Sequence, residues 1–351
     1  MSLINSFISW IMKKRIHQIE LFQKYPIEVQ NEWLKKLLHQ ARFTEWGLKH
    51  GYSGIENYQQ FKSNVPLQDY ENVKPWIEKI MHGQQNLLWP TEVKWFAKSS
   101  GTTGDKSKFI PITQEALDDC HFKCGKDLLS IYCTNFPETK IFSGKSLTLG
   151  GSHQMNENND DSYFGDLSAI IMQNLPIWAE LIRTPELPIA LMGEWEEKLE
   201  RIAHSTMEED VTNLAGVPSW MLILLNRILE LSGTDDIHQV WPNLELFMHG
   251  GVNFGPYREQ YKTIIKQPHM NYMETYNASE GFFGIQDLTN SEDLLLMLDY
   301  GIFYEFIPMD GEQQLDDKAI SLADVQIGVN YALVISTNAG LWRYKIGDTV
   351  Q

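Results

Sequence analysis

The stretch Ser99-Ser100-Gly101-Thr102-Thr103-Gly104-Asp105-Lys106-Ser107-Lys108 carries the residue types most able to handle phosphate. Hydroxyls and backbone N–H groups on a flexible, glycine-containing turn can approach phosphate oxygens closely, as anion-binding loops do. Neither common nucleotide fingerprint fits. A Walker-type loop needs glycine where Lys106 stands, and a dinucleotide turn needs glycine where Thr103 stands. From Lys94 to Lys108 there are four lysines and one aspartate, a local +3 in a chain of net charge −17. That island opposes the repulsion of a polyanionic ligand. The same residues also make a solvated turn edged with surface lysines.

Two further segments carry chemistry. In Tyr276-Asn277-Ala278-Ser279-Glu280 an aromatic ring precedes a carboxylate by four positions. A ring of this kind packs on a purine, and a carboxylate binds a hard cation such as Mg²⁺. Asn277 is plausible at a left-handed turn position, where Asn is tolerated, and a capped turn between a strand and a helix is the plainer reading. In Gly340-Leu341-Trp342-Arg343-Tyr344-Lys345-Ile346-Gly347-Asp348 a strand delivers Asp348 after a glycine. Its carboxylate suits the two hydroxyls of a ribose, or simply ends a polar hairpin.

The elements that must position these groups are legible from periodicity. A stripe of Leu3, Ile4, Phe7, Ile8, Ile11 and Met12 predicts an amphipathic helix, and Lys13, Lys14 and Arg15 follow it, the wrong order for a secretion signal. Ile27, Trp33, Leu34, Leu37, Leu38 and Ala41 predict one helix from Pro26 to about Lys49. A strand at Trp95-Phe96-Ala97, the glycine-rich turn and a helix from Glu115 to Thr134 follow in that order. Met155–Asp166 reads as a surface loop, Gly193–Asn213 as an acidic helix, and Val217-Pro218-Ser219 as the cap of an apolar helix, Trp220–Leu231. Leu244–Met248 reads as a strand running into Gly250-Gly251. Beyond it, Leu294–Leu298, Ile302–Ile307, Tyr331–Ser336 and Leu341–Ile346 predict a mostly antiparallel sheet or small barrel.

Composition bounds the function. At 351 residues and 43% hydrophobic the chain can bury a large α/β core, and its net negative charge disfavours nucleic acid and anionic membrane surfaces as partners. No run of about 18 apolar residues offers a membrane span. Cys120, Cys124 and Cys133 are too sparse for a disulfide framework and point to a reducing cytoplasm. No metal-ligand pattern joins them. His153 and His249 read as structural or cavity-lining residues.

The three chemical segments, in this order and at these separations, resemble the nucleotide motifs of the acyl-adenylate-forming, firefly luciferase-like superfamily. More narrowly they resemble the acyl acid amido synthetases of the auxin-responsive promoter (Gretchen Hagen) family. Ser99–Lys108 with Phe109-Ile110-Pro111 is similar to its phosphate loop, Tyr276–Glu280 with Gly281-Phe282-Phe283-Gly284 to its second motif, and Gly340–Asp348 to its third. Similarity continues through Gly216–Trp220, Leu322–Val325 and Tyr331–Val334, nearly the whole chain. Trp342 stands where the family usually has tyrosine.

This resemblance implies an ATP- and Mg²⁺-dependent ligase that activates a carboxylic acid as acyl-AMP and passes it to an amine or amino acid. Ser99, Ser100, Gly101, Thr102, Thr103 and Gly104 would hold phosphates, with Lys106 or Lys108 as nearby charge. Glu280 would bind the metal, and Ser279 would reach the α-phosphate. Tyr276 would cover adenine, flanked by Asn277 and Ala278 over Gly250 and Gly251, and Asp348 would take the ribose. Cys124, Leu128 and Ile131, on one face of the helix after the phosphate loop, are candidates for the wall of the acyl pocket or plain core residues. Residues 1–351 would be the large N-terminal lobe, with its β-rich part at about 290–351. A hinge and a smaller lobe carrying an adenylation lysine are expected after residue 351, and without them the chain is expected to be a poor catalyst. Coenzyme A as the acceptor, or nucleotide binding without catalysis, are the other readings.

Overall fold

The computed structural model describes residues 3–99, 107–155, 161–289, 291–311, 313–315 and 318–351. In chain order its strands are β1 (Trp95–Ser99), β2 (Lys108–Ile112), β3 (Lys145–Thr148), β4 (His153–Met155), β5 (Tyr163–Gly165), β6 (Arg183–Thr184), β7 (Val211–Gly216) and β8 (Leu246–Gly250). Then come β9 (Asn271–Ala278), β10 (Gly281–Ile285), β11 (Leu295–Leu296), β12 (Ile302–Asp310), β13 (Gln313–Gln314), β14 (Ile320–Ser321), β15 (Tyr331–Thr337) and β16 (Tyr344–Val350). They form three sheets, ordered β2-β1-β5-β4, β11-β10-β9-β8-β7-β3-β6 and β13-β12-β15-β16, the last with β14 on β12.

The seven-stranded sheet is the frame. Its run from β6 through β9 is parallel, while β10 and β11 return antiparallel. Parallel strands need both faces covered. On one face, Leu147, Leu214 and Phe247 pack with Leu224, Leu225 and Ile228 of the helix Pro218–Ser232. On the other, Leu246 and Met273 join a core that includes Cys124, Leu128 and Ile131 of the helix Phe122–Asn135. That core continues into Phe303, Leu333 and Ile335 of the antiparallel C-terminal sheet.

Several local expectations are corrected. The helix begun at Pro26 ends at Ala41, because extended Thr44 starts a separate helix, Glu45–Lys49, by accepting the Gly47 N–H on its side chain. The phosphate-loop candidate leads into a strand before the helix, since Phe109-Ile110-Pro111 pairs with β1. The acidic helix runs only from Trp195 to Thr206, and β-branched Val211 and Thr212 open β7. Leu341–Arg343 is not strand: Gly340 (φ +86°) and Arg343 (φ +45°) interrupt extended backbone before β16. Met155 and Tyr163–Gly165 of the supposed surface loop are strand, and residues 156–160 lie outside the described residues.

The N-terminal helix Leu3–Lys24 is tied down by buried Arg15. Its guanidinium donates to Asp127 at 2.5 and 2.6 Å and to Asp299 at 2.7 and 2.9 Å. Among the described residues no helix is long and apolar enough to cross a membrane.

Candidate active site

The three chemical segments lie in three different sheets, and side-chain contacts bring the second and third together: Tyr276 meets Asp348 and Tyr344 meets Glu280. Ser99 and Lys108 form the last pair of the β1–β2 hairpin, so the loop between them leaves and returns at a fixed point. Ser100, Gly101, Thr102, Thr103, Gly104 and Lys106 lie outside the described residues. At the base of the hairpin, Tyr70 Oη accepts the Phe109 N–H at 2.8 Å, and Lys108 Nζ lies 5.9 Å from the Tyr70 ring centroid.

The second segment is a β-hairpin. Tyr276, Asn277 and Ala278 end β9, Ser279 and Glu280 make the turn, and Gly281 opens β10 opposite Ala278. Asn277 is therefore in a strand rather than a left-handed turn, and no helix follows. Glu280 is buried at 8% exposure, and the Tyr344 hydroxyl donates to its Oε1 over 3.4 Å. Burial pushes its carboxyl above the usual glutamate range, while Lys108 and Tyr344 pull it down. Tyr276 donates to Asp348 Oδ2 at 2.6 Å, and its ring tilts over Phe283 at 5.0 Å between centroids. Burial, then the Asp348 partner, raises the Tyr276 phenol far above its ordinary value, so it stays a donor.

The third segment is clamped from behind. Buried Arg343 donates to both Glu305 oxygens at 2.8–3.1 Å and to Val65 O at 2.7 Å, and Ser336 Oγ accepts the Arg343 N–H at 2.9 Å. Trp342 Nε1 donates to Leu88 O at 3.1 Å, and Lys345 N to Gln68 O at 2.8 Å. Residues 342–345 are thus tied to Leu88, Glu305, Val65, Ser336 and Gln68, and exposed Asp348 follows on β16.

Gly250 ends β8 where no other residue fits. A Cβ there would lie 2.4 Å from Thr275 Oγ1 and 2.6 Å from Thr275 O. Gly251 follows at φ +81°. Both line a cavity of about 360 Å³ between the seven-stranded sheet and the helix Phe122–Asn135, with Thr275 and Asn277 beside them. Cys124 and Leu128 line it too; Ile131 is buried in the core and does not. The remaining walls are mostly apolar, including Leu167, Met172, Trp220 and Phe282. His249 also lines it, stacked on Phe254 at 4.1 Å, and burial drops its pKa to about 3, so it is neutral near pH 7. His153 lies on β4. A wide π-helical turn, Leu117–His121, precedes the helix and lets Cys120 Sγ accept the Phe282 N–H at 3.2 Å.

The donor set suits Mg²⁺ held chiefly by its own ligands. Among the described residues no group of three or more His, Cys, Asp or Glu side chains could enclose a metal, whereas buried Glu280 supplies one carboxylate. Magnesium commonly takes one or two carboxylates and completes its shell with waters and phosphate oxygens. Residues missed by motif reading are those that hold the motifs: Tyr344 on Glu280, Tyr70 on β2, and the Arg343–Glu305 pair. Glu305 leaves the clearest signal, a lone charge inside the apolar run Ile302–Ile307.

Residues 15–270 match the GH3 family N-terminal domain, and residues 295–351 match the GH3 family central domain. The indole-3-acetic acid-amido synthetase GH3.3 of Arabidopsis thaliana is 24% identical, covering 96% of this chain and 67% of that protein. The 4-substituted benzoates-glutamate ligase GH3.12 of Arabidopsis thaliana is 25% identical, covering 83% of this chain and 60% of that protein. The solved structure of AtGH3.15 acyl acid amido synthetase in complex with 2,4-DB shares the fold at a TM-score of 0.80 and 19% identity, covering 97% of this chain and 68% of that one. The chain spans 60% to 68% of the length of these relatives.

Proposed function

The chain belongs to the GH3 family, and from that premise we propose that it is the ATP-binding lobe of a ligase that joins a carboxylic acid to an amine, an amino acid above all. In the first step a carboxylate oxygen forms a bond to the α-phosphorus of ATP, and the bond to the β-phosphate bridging oxygen breaks, releasing pyrophosphate. In the second, the amine nitrogen attacks the acyl carbon of acyl-AMP. The carbon–oxygen bond to AMP breaks and the nitrogen loses a proton, giving the amide.

The observation that carries this reading is the meeting of Tyr276 and Glu280 with Asp348 and Tyr344, beside an apolar cavity floored by Gly250 and Thr275. Asp348 would bind ribose hydroxyls, and the ring of Tyr276 would cover adenine while its hydroxyl steadies Asp348. Gly250 and Gly251 would let the nucleotide approach the sheet without a side chain between. Ser99 and Lys108 would anchor the phosphate loop. Magnesium, when bound, would neutralise charge developing on the leaving phosphates, and Glu280 would hold it. Both partners in the first step are anionic, so positioning and charge neutralisation are the main tasks and no protein base is needed. Neutral His249 fits that assignment. The three free cysteines suit a reducing cytoplasm.

The test is carboxylate-dependent exchange of pyrophosphate into ATP by the full-length gene product, with the smaller lobe expected after residue 351, followed by mass analysis of products formed with an amino acid mixture and with coenzyme A. Acid-dependent exchange and amide formation are expected. A thioester without amide would move the protein to the coenzyme A ligases, and nucleotide binding with no exchange would leave a non-catalytic lobe.

A further inference from the structure

The floor of the cavity is not uniformly apolar. Arg183 on β6 pairs with Ser146 on β3, Ser146 with Asn213 on β7, and Asn213 with Leu246 on β8, so one row of the sheet reads Arg183-Ser146-Asn213-Leu246. The first three of these residues line the cavity. A register shift between Lys145 and Ser146 sets this row, because β7 spends an extra residue, Thr212, at that point. Such a bulge re-aims a side chain. Without it, Asn213 would not stand opposite Ser146. Gly250 lies four residues along β8 from Leu246, about 13 Å at about 3.3 Å per residue. Between the two ends the floor is Thr148, Ala215 and Met248, and Leu128 and Met172 also line the cavity.

Hydrogen-bond accounting gives the row its chemistry. The Ser146 hydroxyl donates to Asn213 Oδ1 at 2.6 Å, and one Asn213 amide hydrogen reaches Thr212 Oγ1 at 3.3 Å. Ser146 Oγ therefore keeps acceptor capacity and Asn213 a second N–H. Arg183 brings no free charge: Nε and Nη2 donate to the Glu180 carboxylate at 2.9 and 2.7 Å, and Nη1 donates to Pro185 O. A polar, neutral donor–acceptor pair thus sits at the end of an apolar cavity opposite the nucleotide segments, with Asn213 only 5% exposed.

We propose that the acid taken by this cavity is an apolar carboxylic acid bearing a neutral hydrogen-bonding group, a hydroxyl or carbonyl, at its far end, which Ser146 and Asn213 read. The proposal rests on the cavity being the acid's site. It separates three classes of acid. A purely apolar tail leaves the Asn213 N–H without a ligand partner, a charged tail meets no uncompensated charge in this row, where Arg183 is already paired and Lys126 lines the cavity from the helix instead, and a tail ending in a neutral polar group satisfies both residues.

The test is equilibrium binding to the 351-residue chain by calorimetry, in the presence of AMP, using decanoate, 10-hydroxydecanoate and decanedioate as probes. The hydroxy acid is expected to bind about fivefold tighter than decanoate, the value of one net hydrogen bond, and decanedioate more weakly than either. Asn213→Leu and, separately, Ser146→Ala should abolish or invert that preference while changing decanoate affinity less than about twofold; a thermal melt confirms folding, and Ser146→Ala serves where Asn213→Leu does not fold. Equal binding of decanoate and its hydroxy form, or a preference that survives both substitutions, overturns the inference and leaves the adenylation reading standing. Failure of all three acids to bind to chain that still binds AMP removes the cavity as the acid site, and the inference falls with it.

Discussion

The Tyr276 hydroxyl donates to Asp348 Oδ2 at 2.6 Å, a bond that joins the end of β9 to β16 across 72 positions of sequence. It fixes an exposed carboxylate beside a half-buried ring. Asp348→Ala should weaken AMP binding by about 1.5–3 kcal/mol, the range for hydrogen bonds to a charged group. Because Asp348 is exposed, the melting temperature should hardly change. Tyr276→Phe should show a smaller loss of affinity, since the ring remains. Calorimetric titration with AMP checks both, and unchanged affinity in Asp348→Ala removes that residue from the site.

Glu280 gives a pH signature. Its folded-state carboxyl lies above the ordinary value of 4.5 because burial disfavours the charge. Between that value and the raised one the folded protein holds a proton that the unfolded chain has released, so stability falls as pH rises through the window, and the loss is complete above it. Glu280→Gln carries no such charge. In divalent-free buffer its melting temperature should gain on that of the wild type as pH rises above the ordinary carboxylate value of 4.5, and Mg²⁺–ATP should raise the melting temperature of the wild type more than that of the variant. Parallel pH curves would show that burial of the Glu280 carboxyl carries no charge penalty.

How much of this was legible beforehand follows from what each residue needs. Tyr276, Glu280 and Asp348 stand in short contiguous segments whose residue types announce their chemistry, and the antiparallel texture after Leu294 shows in its alternation. The hairpin at Ser279-Glu280 was hidden because Asn and Ser cap helices as readily as they make turns. Arg343, Glu305 and Val65 are far apart in sequence, and only tertiary contacts bring them together, with the Arg343 guanidinium bonded to both of the others. Likewise, the acidic helical pattern runs on through Asn213, whose place in the cavity depends on a one-residue register shift that no local pattern encodes.

The Arg343–Glu305 pair predicts a large, non-additive effect. Both side chains are buried, at 3% and 0% exposure. Removing one partner leaves an uncompensated charge, so Arg343→Met should cost about 3–5 kcal/mol in urea unfolding. Arg343→Met combined with Glu305→Leu should cost less than the two single changes added together. Simple additivity would show that the two charges act independently.

Gly250→Ala tests the floor of the site. The added carbon meets the Thr275 carbonyl oxygen as well as its hydroxyl, and backbone cannot rotate away. A destabilisation of about 1–3 kcal/mol is expected, typical of overpacking, together with weaker AMP binding. Gly54→Ala, where a Cβ meets nothing within 4 Å, is the control and should do neither.

The central claim is that nucleotide and acid occupy one continuous site, joined at the Gly250 end of the cavity. It is tested most directly by titrating the protein with an N-acylsulfamoyl adenosine, a stable mimic of acyl-AMP, alongside AMP and the corresponding acid. The account predicts that the joined compound binds at least about a hundredfold tighter than either part, as intermediate analogues do, and that Asp348→Ala removes about 1.5–3 kcal/mol of that affinity. An affinity no better than that of AMP alone, in protein that binds both parts separately, would contradict it.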